Sequence, residues 1–373
     1  MKKSYHSICR WTFNPGKGGF VPSNIRPSWT SDKFDTVDFI KLIAEKIKTR
    51  LPENIVIGIE LHYDTEINEK NVKDVVSVMK ENNIYLALIT PGAHSYFAYG
   101  GIASLDPNER KKAEEFGIKT IDIGYEMKDV FLNNKEPSFV LWNGSWGYDI
   151  LTPFIKKMYE NLKESIVKLC QYEEKKGGKL YFAIEPKPNE GHPAMLIPTV
   201  ASAILLWKKL NEEYGLNLEK KGINKEFGHS EMIGLDHIYD TVEEIDNKMI
   251  VHMHINSQGY NDGIIFGGPG KFDIDYGARI NGMNIVTARL IQEAGYDRWR
   301  GHDIQARPYD NEEKAIERVI RSILAWESCE IVAQNMNMKE ILEYLINRET
   351  DKVEDIMRDL VSESFKIFKS LYG

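Results

Sequence analysis

An acidic and a basic residue stand two positions apart at the end of an apolar stretch in the middle of the chain. Residues 180–184 have the composition of a buried strand, and Glu185 and Lys187 follow it directly. A proline on each side of the lysine favours an extended backbone there. Side chains two residues apart on a strand point the same way, so the carboxylate and the ammonium group share one face. A parallel barrel presents chemistry in this manner at the carboxyl ends of its strands, although a surface ion pair has the same pattern.

Polar side chains also follow other apolar runs. They are His62 and Asp64, His94, Trp142, Glu226 and His229, Asn256, Asp273 and Asp275, and Asp303. In a closed parallel barrel the carboxylates among them would meet Glu185 at one rim. Ionised carboxylates a few ångströms apart raise one another's pKa unless cations lie between them. Oxygen ligands with a single imidazole favour Mg²⁺, Mn²⁺ or Co²⁺ over zinc, and the number of carboxylates suggests two ions.

Each of these residues also has a purely structural interpretation. Asp273 and Asp275 lie in a glycine-rich stretch and can be turn residues, and His229 can cap a helix. His252 and His254 alternate on a strand, and we interpret them as packing or supporting groups rather than ligands. Only the repetition of acidic groups on neighbouring strand ends favours the metal site.

The composition restricts the classes of protein that the chain can represent. The 373 residues are 42% hydrophobic, which is ample for a large core, and the net charge is −8. This charge argues against a nucleic-acid-binding protein, because such proteins neutralise phosphates. No apolar run approaches membrane-spanning length, and the N-terminus does not resemble a signal peptide. The three cysteines share no metal-ligand spacing and are predicted to be reduced, which favours a cytoplasmic location.

Apolar runs alternate with longer amphipathic stretches along the chain. The predicted strands span residues 7–13, 55–62, 85–90, 139–142, 179–184, a weakly marked segment ending near 225–226, 249–255 and 299–303. The predicted helices span residues 36–50, 71–82, 107–116, 153–175, 198–214, 238–246, 283–294 and 311–328. This order predicts an α/β fold, a TIM (β/α)8 barrel over residues 1–330. An open doubly wound sheet is the alternative, but the chain lacks the glycine-rich turn typical of it.

Residues 331–373 are charged and carry apolar positions at helical spacing. A closed barrel does not need them, so they are predicted to form a C-terminal helical arm packed on another subunit. The alternative is a helix folded back over its own barrel.

Several stretches resemble the xylose isomerase family, metal-dependent TIM-barrel enzymes that interconvert aldoses and ketoses. The resemblance covers about residues 5–330 and is most specific in the fifth strand. Its main motifs are FAIEPKPNE at 182–190, EFGHSEM at 226–232, KFDID at 271–275 and FVLW at 139–142.

The resemblance implies two divalent cations, Mg²⁺, Mn²⁺ or Co²⁺. The residues that it assigns to these ions are Glu185, Glu226, His229, Asn256, Asp273, Asp275 and Asp303. Glu226 is expected to bridge them, with Glu185 and Asp303 on the ion that holds two substrate hydroxyls. His229 and the two remaining aspartates are expected to surround the second ion.

The resemblance also implies substrate contacts. Lys187 is expected to hydrogen-bond the carbonyl end of the open-chain sugar, and His62 to handle ring opening. The acid that orients His62 is expected to be Asp64 or Glu66, or to be missing. Trp142 is expected to form an aromatic wall, with His94 near the second wall. Phe20 matches a phenylalanine that enters the neighbouring subunit's pocket, which favours a homodimer or homotetramer.

The chain differs from the family pattern at four positions. Asn256 replaces an aspartate, Thr65 an acid, Gln305 a lysine, and Gly92 an aromatic residue. The amide at 256 is expected to ligate through its oxygen but to weaken the first site by one charge.

The expected function is aldose–ketose isomerisation of a small sugar such as xylose by a two-metal-assisted hydride shift. One alternative is a single-metal sugar epimerase or isomerase of the same superfamily. Another is a non-catalytic sugar-binding relative. A barrel-type endonuclease of damaged DNA shares the fold, but the acidic charge argues against it.

Overall fold

Eight parallel strands close into a barrel at the centre of the molecule. The structure, a computed structural model, describes residues 2–13, 34–142, 152–188, 195–258, 275–307 and 309–373, without the side chain of His94. Barrel strands that follow one another along the chain pair side by side. The first strand pairs with both the second and the last, which closes the barrel. The predicted TIM barrel is confirmed.

The barrel strands are short and largely buried. They are β1 (Ser4–Cys9), β2 (Ile55–Tyr63), β3 (Tyr85–Pro91), β4 (Ser138–Trp142), β5 (Tyr181–Glu185), β6 (Lys221–Glu226), β7 (Ile250–His254) and β10 (Arg300–His302). Beyond β7, the strands β8 (Asn256–Ser257) and β9 (Tyr276–Gly277) form a small antiparallel pair that periodicity did not predict.

Helices surround the barrel and follow most of its strands. They are α1 (Thr36–Leu42), α2 (Val72–Asn82), α3 (Pro107–Glu126), α4 (Ile155–Lys176), α5 (Val200–Tyr214), α6 (Phe227–Met232), α7 (His237–Asp246), α8 (Gly282–Glu293), α9 (Glu312–Gln334), α10 (Met338–Ile346) and α11 (Thr350–Tyr372). A π-helical turn, Ile43–Ile47, and a 3₁₀ turn, Lys48–Arg50, continue α1. α3 begins as predicted, with the Asp106 side chain accepting from the Asn108 N–H and Pro107 in the first turn.

Three predicted ends are wrong, and one helix was not predicted. α9 runs to Gln334, six residues beyond its predicted end. β1 ends at Cys9, and Arg10–Phe13 form a 3₁₀ turn, in which the Arg10 guanidinium donates to the Phe34 carbonyl at 2.8 Å. α3 runs ten residues beyond its predicted end because Gly117 is a packing position: a Cβ there would meet Leu169 Cδ2 at 3.0 Å. α6 was not predicted, since it begins directly after β6 without a turn.

The C-terminal helices pack on the barrel of their own chain. Apolar residues of α11 join a cluster that contains Trp326 and Cys329 of α9. The Ser328 and Ser364 hydroxyls lie 3.0 Å apart within this contact. The predicted division at residue 330 falls inside α9, and the intersubunit role of residues 331–373 stays a prediction.

All three cysteines are buried and free. Among the described residues, no helix is both long enough and apolar enough to cross a membrane.

Candidate functional site

The carboxyl ends of β5, β6 and β10 bring three acidic residues together around one histidine. Glu185 and Glu226 are the last residues of their strands, and Asp303 follows β10. His254 Nδ1 lies 3.3 Å from Glu226 Oε2, 3.5 Å from Glu185 Oε2 and 3.7 Å from Asp303 Oδ2. The predicted convergence of these strand ends is therefore present, and its centre is a histidine that the sequence suggested was only supporting.

His229 reaches the same cluster because α6 begins where β6 ends. Its Nδ1 lies 2.9 Å from the Pro186 carbonyl, which can only accept, so Nδ1 carries the proton. Its Nε2 then faces Glu226 Oε1 at 3.2 Å. A neutral imidazole held in this way is a typical metal ligand.

Asn256 links residues of the cluster by hydrogen bonds and does not supply an additional ligand oxygen. Its amide nitrogen donates to Glu226 Oε1 at 2.8 Å and to the Asp303 carbonyl at 3.1 Å. Its amide oxygen accepts from the Gly228 N–H at 2.8 Å, which fixes the orientation of the amide. In this arrangement the oxygen expected to ligate a cation is already hydrogen-bonded to the first turn of α6.

Asp275 lies at the edge of the cluster, beside β9. Its Oδ1 accepts from Gln258 Nε2 at 3.3 Å, and the Asn256 amide lies 3.4 Å from the same oxygen. Asp273 and Phe20 lie outside the described residues, as does the side chain of His94. Their predicted roles stay predictions.

Lys187 and Trp142 form one wall above the cluster. The Lys187 side chain is buried, and its ammonium nitrogen lies 4.9 Å from the centre of the Trp142 ring. Gly92 is also buried, and a Cβ there would meet the Tyr63 carbonyl oxygen at 2.9 Å. A larger side chain at 92 would therefore require the backbone to move.

His62 lies near the end of β2, against Trp11. The two rings are 4.2 Å apart, and Trp11 Nε1 donates to Asp303 Oδ1 at 2.7 Å. Of the two acids that the sequence left open, Glu66 is the one that contacts His62: its Oε2 lies 3.3 Å from His62 Nδ1 and accepts from the His62 N–H at 2.7 Å. The Asp64 carboxylate instead accepts from the Tyr96 hydroxyl at 2.6 Å.

Two buried polar residues of the site were not identified from the sequence. Asn224 donates to Glu185 Oε2 at 2.6 Å, and Glu60 lies 2.9 Å from His254 Nε2. A charged residue within the apolar run of β2 was the available signal for Glu60. Asn224 was missed because the sequence of β6 has only a weak strand pattern.

The electrostatics of the cluster favour a bound cation. Burial raises the pKa of Glu185 well above its usual value; His254 opposes this shift, and Glu226 and Asp303 add to it. Burial and the charge of Glu226 raise the pKa of Asp303 to about 8. Burial alone would lower the pKa of His254, but the surrounding carboxylates, Glu60 first, raise it well above its usual value. Buried carboxylates that resist ionisation in this way are relieved by a divalent ion.

The donor atoms also fit such an ion. Atoms of Glu185, Glu226 and His229 lie within 4.8 Å of one another, and so do atoms of Glu226, His254 and Asp303. Both groups combine carboxylate oxygens with one imidazole, and they share Glu226. These clusters can hold metal.

Comparison with known proteins agrees with the barrel fold. A family model described as the xylose isomerase-like TIM barrel matches residues 56–329. The xylose isomerase of Thermus caldophilus is 26% identical over 277 residues, which are 71% of this chain and 66% of the relative. That of Thermus thermophilus is 25% identical over 279 residues, with the same coverage. The chain thus spans slightly less than two thirds of these relatives.

Solved structures show the same fold at low identity. D-psicose 3-epimerase from Clostridium cellulolyticum H10 is 14% identical, with a TM-score of 0.59 over 88% of this chain and 99% of that chain. The 3-keto-D-glucoside 4-epimerase of E. coli is 12% identical, with a TM-score of 0.53 over 85% of this chain and 98% of that chain. Because the family model matches most of the barrel, the chain belongs to the xylose isomerase-like TIM-barrel family.

Proposed function

We propose that the protein is a metal-dependent sugar isomerase that interconverts an aldose and a ketose. The observation that carries the proposal is the position of Glu226, whose two carboxylate oxygens face two donor groups. Oε1 lies 3.2 Å from His229 Nε2, and Oε2 lies 3.3 Å from His254 Nδ1. A carboxylate shared in this way suits a bridge between two cations.

Glu185, Glu226, His254 and Asp303 would hold one divalent cation, and His229 would hold a second with Glu226. Asp275, and Asp273 by resemblance, would complete the second set. When bound, Mg²⁺, Mn²⁺ or Co²⁺ polarises substrate oxygens as a Lewis acid.

His62 would act on the closed sugar ring. As the bond between C1 and the ring oxygen breaks, the proton of the O1 hydroxyl leaves and the ring oxygen gains one. His62 is suited to carry this proton, because Glu66 Oε2 lies 3.3 Å from its Nδ1 and the neighbouring Trp11 ring limits its rotation.

Lys187 and Trp142 would act on the open chain. Hydrogen passes with its electron pair from C2 to C1 while the proton of O2 moves to O1. The Lys187 ammonium group is buried and can donate to the carbonyl oxygen as negative charge develops there. The Trp142 ring beside it excludes water, which favours hydride transfer over exchange with solvent.

A sugar epimerase that uses one cation is the second candidate. It is favoured by His254, which completes a nitrogen and oxygen donor set with Glu226 and Asp303 that needs no second ion. In that case paired carboxylates such as Glu185 and Glu226 would transfer protons at the substrate carbon.

One experiment separates these candidates. Aldopentoses and aldohexoses carrying deuterium at C2 are incubated with the protein and Mg²⁺, Mn²⁺ or Co²⁺, and products are followed by NMR. Bound metal is counted by calorimetric titration. Ketose that retains deuterium at C1, with two ions per chain, is expected. Formation of the C2 epimer with loss of the label to solvent and one bound ion would favour the epimerase, and sugar binding without turnover would indicate a non-catalytic relative.

A further inference from the structure

A carboxylate lies inside the barrel beneath the cluster, and the proposed mechanism does not use it. Glu60 of β2 is completely buried. Its Oε1 accepts from the Ser7 hydroxyl at 2.6 Å and lies 3.1 Å from His252 Nε2. Its Oε2 lies 2.9 Å from His254 Nε2 and 3.6 Å from Cys9 Sγ. Strands β1, β2 and β7 therefore meet at this one side chain.

These contacts give the two nitrogens of His254 different surroundings. Nε2 points down to Glu60, while Nδ1 points up to Glu226, Glu185 and Asp303 at 3.3–3.7 Å. An ionised carboxylate can only accept, so its hydrogen bond places a proton on Nε2. Nδ1 is then the nitrogen that faces the carboxylates of the rim, where a bound cation would take the place of its proton.

A glycine on β10 leaves space for the contact between Glu60 and His254. Gly301 of β10 lies against the pair, and a Cβ at that position would clash with Glu60 Oε1 and approach His254 Cδ2 to 2.6 Å. The same Cβ would lie 3.0 Å from His252 Nε2. Any side chain at 301 would therefore displace the carboxylate, the imidazoles or both.

We propose that Glu60 is a positioning residue that holds His254 with its proton on Nε2 and so presents Nδ1 as the nitrogen ligand of the cation bound by Glu226 and Asp303. This inference rests on the metal site of the proposed function. A carboxylate that orients a metal-bound histidine raises its basicity and fixes its ring. Cys9, Glu60 and His254 also lie close together, but their mutual hydrogen bonds already satisfy the carboxylate.

The test is metal binding by the full-length Glu60→Gln variant. Glutamine keeps the size of the side chain but loses the charge and one acceptor. Calorimetric titration with Mn²⁺ alone is expected to show affinity lowered about 10- to 100-fold at one site. Glu173→Gln is the matched control, because Glu173 is also buried but accepts from the Tyr125 hydroxyl and the Leu180 N–H away from the rim. Its Mn²⁺ affinity is expected to stay at the wild-type value.

A second measurement uses the wild-type protein and does not depend on how the variant folds. Two-dimensional ¹⁵N NMR of the histidine rings, assigned with His254→Asn, reports which nitrogen carries the proton. On addition of Mg²⁺, the Nδ1 signal of His254 is expected to shift while Nε2 keeps its proton. A proton on Nδ1 in the Mg²⁺-loaded protein, or no shift at His254, would overturn the inference.

The two proposals fail separately. If no sugar is converted but Glu60→Gln weakens Mn²⁺ binding relative to Glu173→Gln, the positioning role stands and the isomerase function falls. If sugars are isomerised and both variants bind Mn²⁺ equally well, the positioning role falls alone. A wild-type protein that binds no divalent cation overturns both.

Discussion

Glu226 contacts both histidines of the cluster. It accepts from the Asn256 amide at 2.8 Å and faces His229 and His254 at 3.2 and 3.3 Å. The side chain is nearly inaccessible to solvent, so no water can replace these partners without rearrangement. The charge of this one residue therefore affects both donor groups.

We predict that Glu226→Gln abolishes isomerisation and lowers Mn²⁺ affinity at both sites by more than about 100-fold. Loss of a residue that merely supports a ligand already costs 10- to 100-fold, and here a shared ligand loses its charge. Calorimetric titration and a ketose assay measure the two effects. Glu173→Gln again serves as the control, and full activity of Glu226→Gln would contradict the two-cation site.

Asn256→Asp should change stability and metal affinity in opposite directions. Without metal, the new carboxylate faces Glu226 and loses the donor that bonded it, at a cost of about 1–3 kcal/mol. With Mn²⁺, the added negative charge should tighten binding. Urea unfolding in a chelator and in Mn²⁺ measures both effects.

The control for this substitution is Asn284→Asp, because Asn284 is also buried and its amide donates to the Arg279 carbonyl at 2.8 Å. This variant should be destabilised equally with and without Mn²⁺. If Asn256→Asp were also destabilised equally with and without Mn²⁺, the side chain at 256 would not interact with the cation.

The residues of the rim divide clearly into those that the sequence could predict and those that it could not. Glu185, Glu226 and Asp303 could be predicted because an acid that ends an apolar strand is visible from local order alone. Glu60 lies within β2, and His254 lay inside the predicted strand 249–255, although β7 ends at His254. Their contact joins positions 194 residues apart. Only the closed barrel brings them together, so their pairing had no local signal.

At the scale of elements, an ion pair between Arg318 and Asp310 connects α9 to the loop that follows β10. Arg318 of α9 donates to Asp310 through Nε at 2.6 Å and through Nη2 at 2.9 Å. The same carboxylate accepts from the Arg307 N–H at 2.7 Å. Arg307 in turn lies 3.3 Å from the Asp275 carbonyl, so this pair fixes the backbone beside the site.

We predict that Asp310→Asn lowers the free energy of unfolding at pH 7 by about 1.5–3 kcal/mol. Burial alone would raise the pKa of Asp310, but hydrogen bonds from Arg318 and Arg307 lower it below its usual value. A lowered folded-state pKa stabilises the protein above the unfolded value of about 3.9, and this contribution is lost as the pH falls through the folded pKa. The difference between wild type and variant should therefore shrink below about pH 4.

Urea unfolding between pH 3 and pH 7 measures this difference. Asp355→Asn is the control, because Asp355 pairs with Arg358 on the surface with both side chains about 70% exposed. It should change stability by less than about 0.5 kcal/mol throughout. A difference at Asp310 that stayed constant down to pH 3 would contradict the pKa argument.

Elements with strong periodicity were predicted best. The helices α2, α4, α5 and α8 and the strands β2 to β5 lie within a few residues of their predicted bounds, because apolar repeats and caps act locally. The exceptions are α3 and α9, which run ten and six residues beyond their predicted ends. α6 and the β8–β9 pair were missed. They are short, and contacts with the barrel rim, such as that between Gly228 and Asn256, stabilise them rather than their own propensities.

At the scale of the whole molecule, the alternation of strands and helices was sufficient to predict the barrel. The alternation could not predict what the C-terminal segment packs against, because an amphipathic helix can pack equally well on its own barrel and on a partner subunit. The structure gives α11 a buried face on α8 and α9. α10 is different, since Leu342, Leu345 and Ile346 are 57%, 49% and 70% exposed.

The exposed side of α10 is therefore where the predicted homo-oligomer is best tested. We predict that the double substitution Leu342→Glu and Ile346→Glu reduces the mass in sedimentation equilibrium to that of one chain. The free energy of unfolding of the monomer should not change, because neither side chain packs into the barrel. Lys339→Glu, at an exposed position on the same helix, changes charge without removing apolar area and should leave the mass unaltered. An oligomer that survives the double substitution would place the subunit contact elsewhere, and a monomeric wild-type protein would leave the arm with only its own barrel to stabilise.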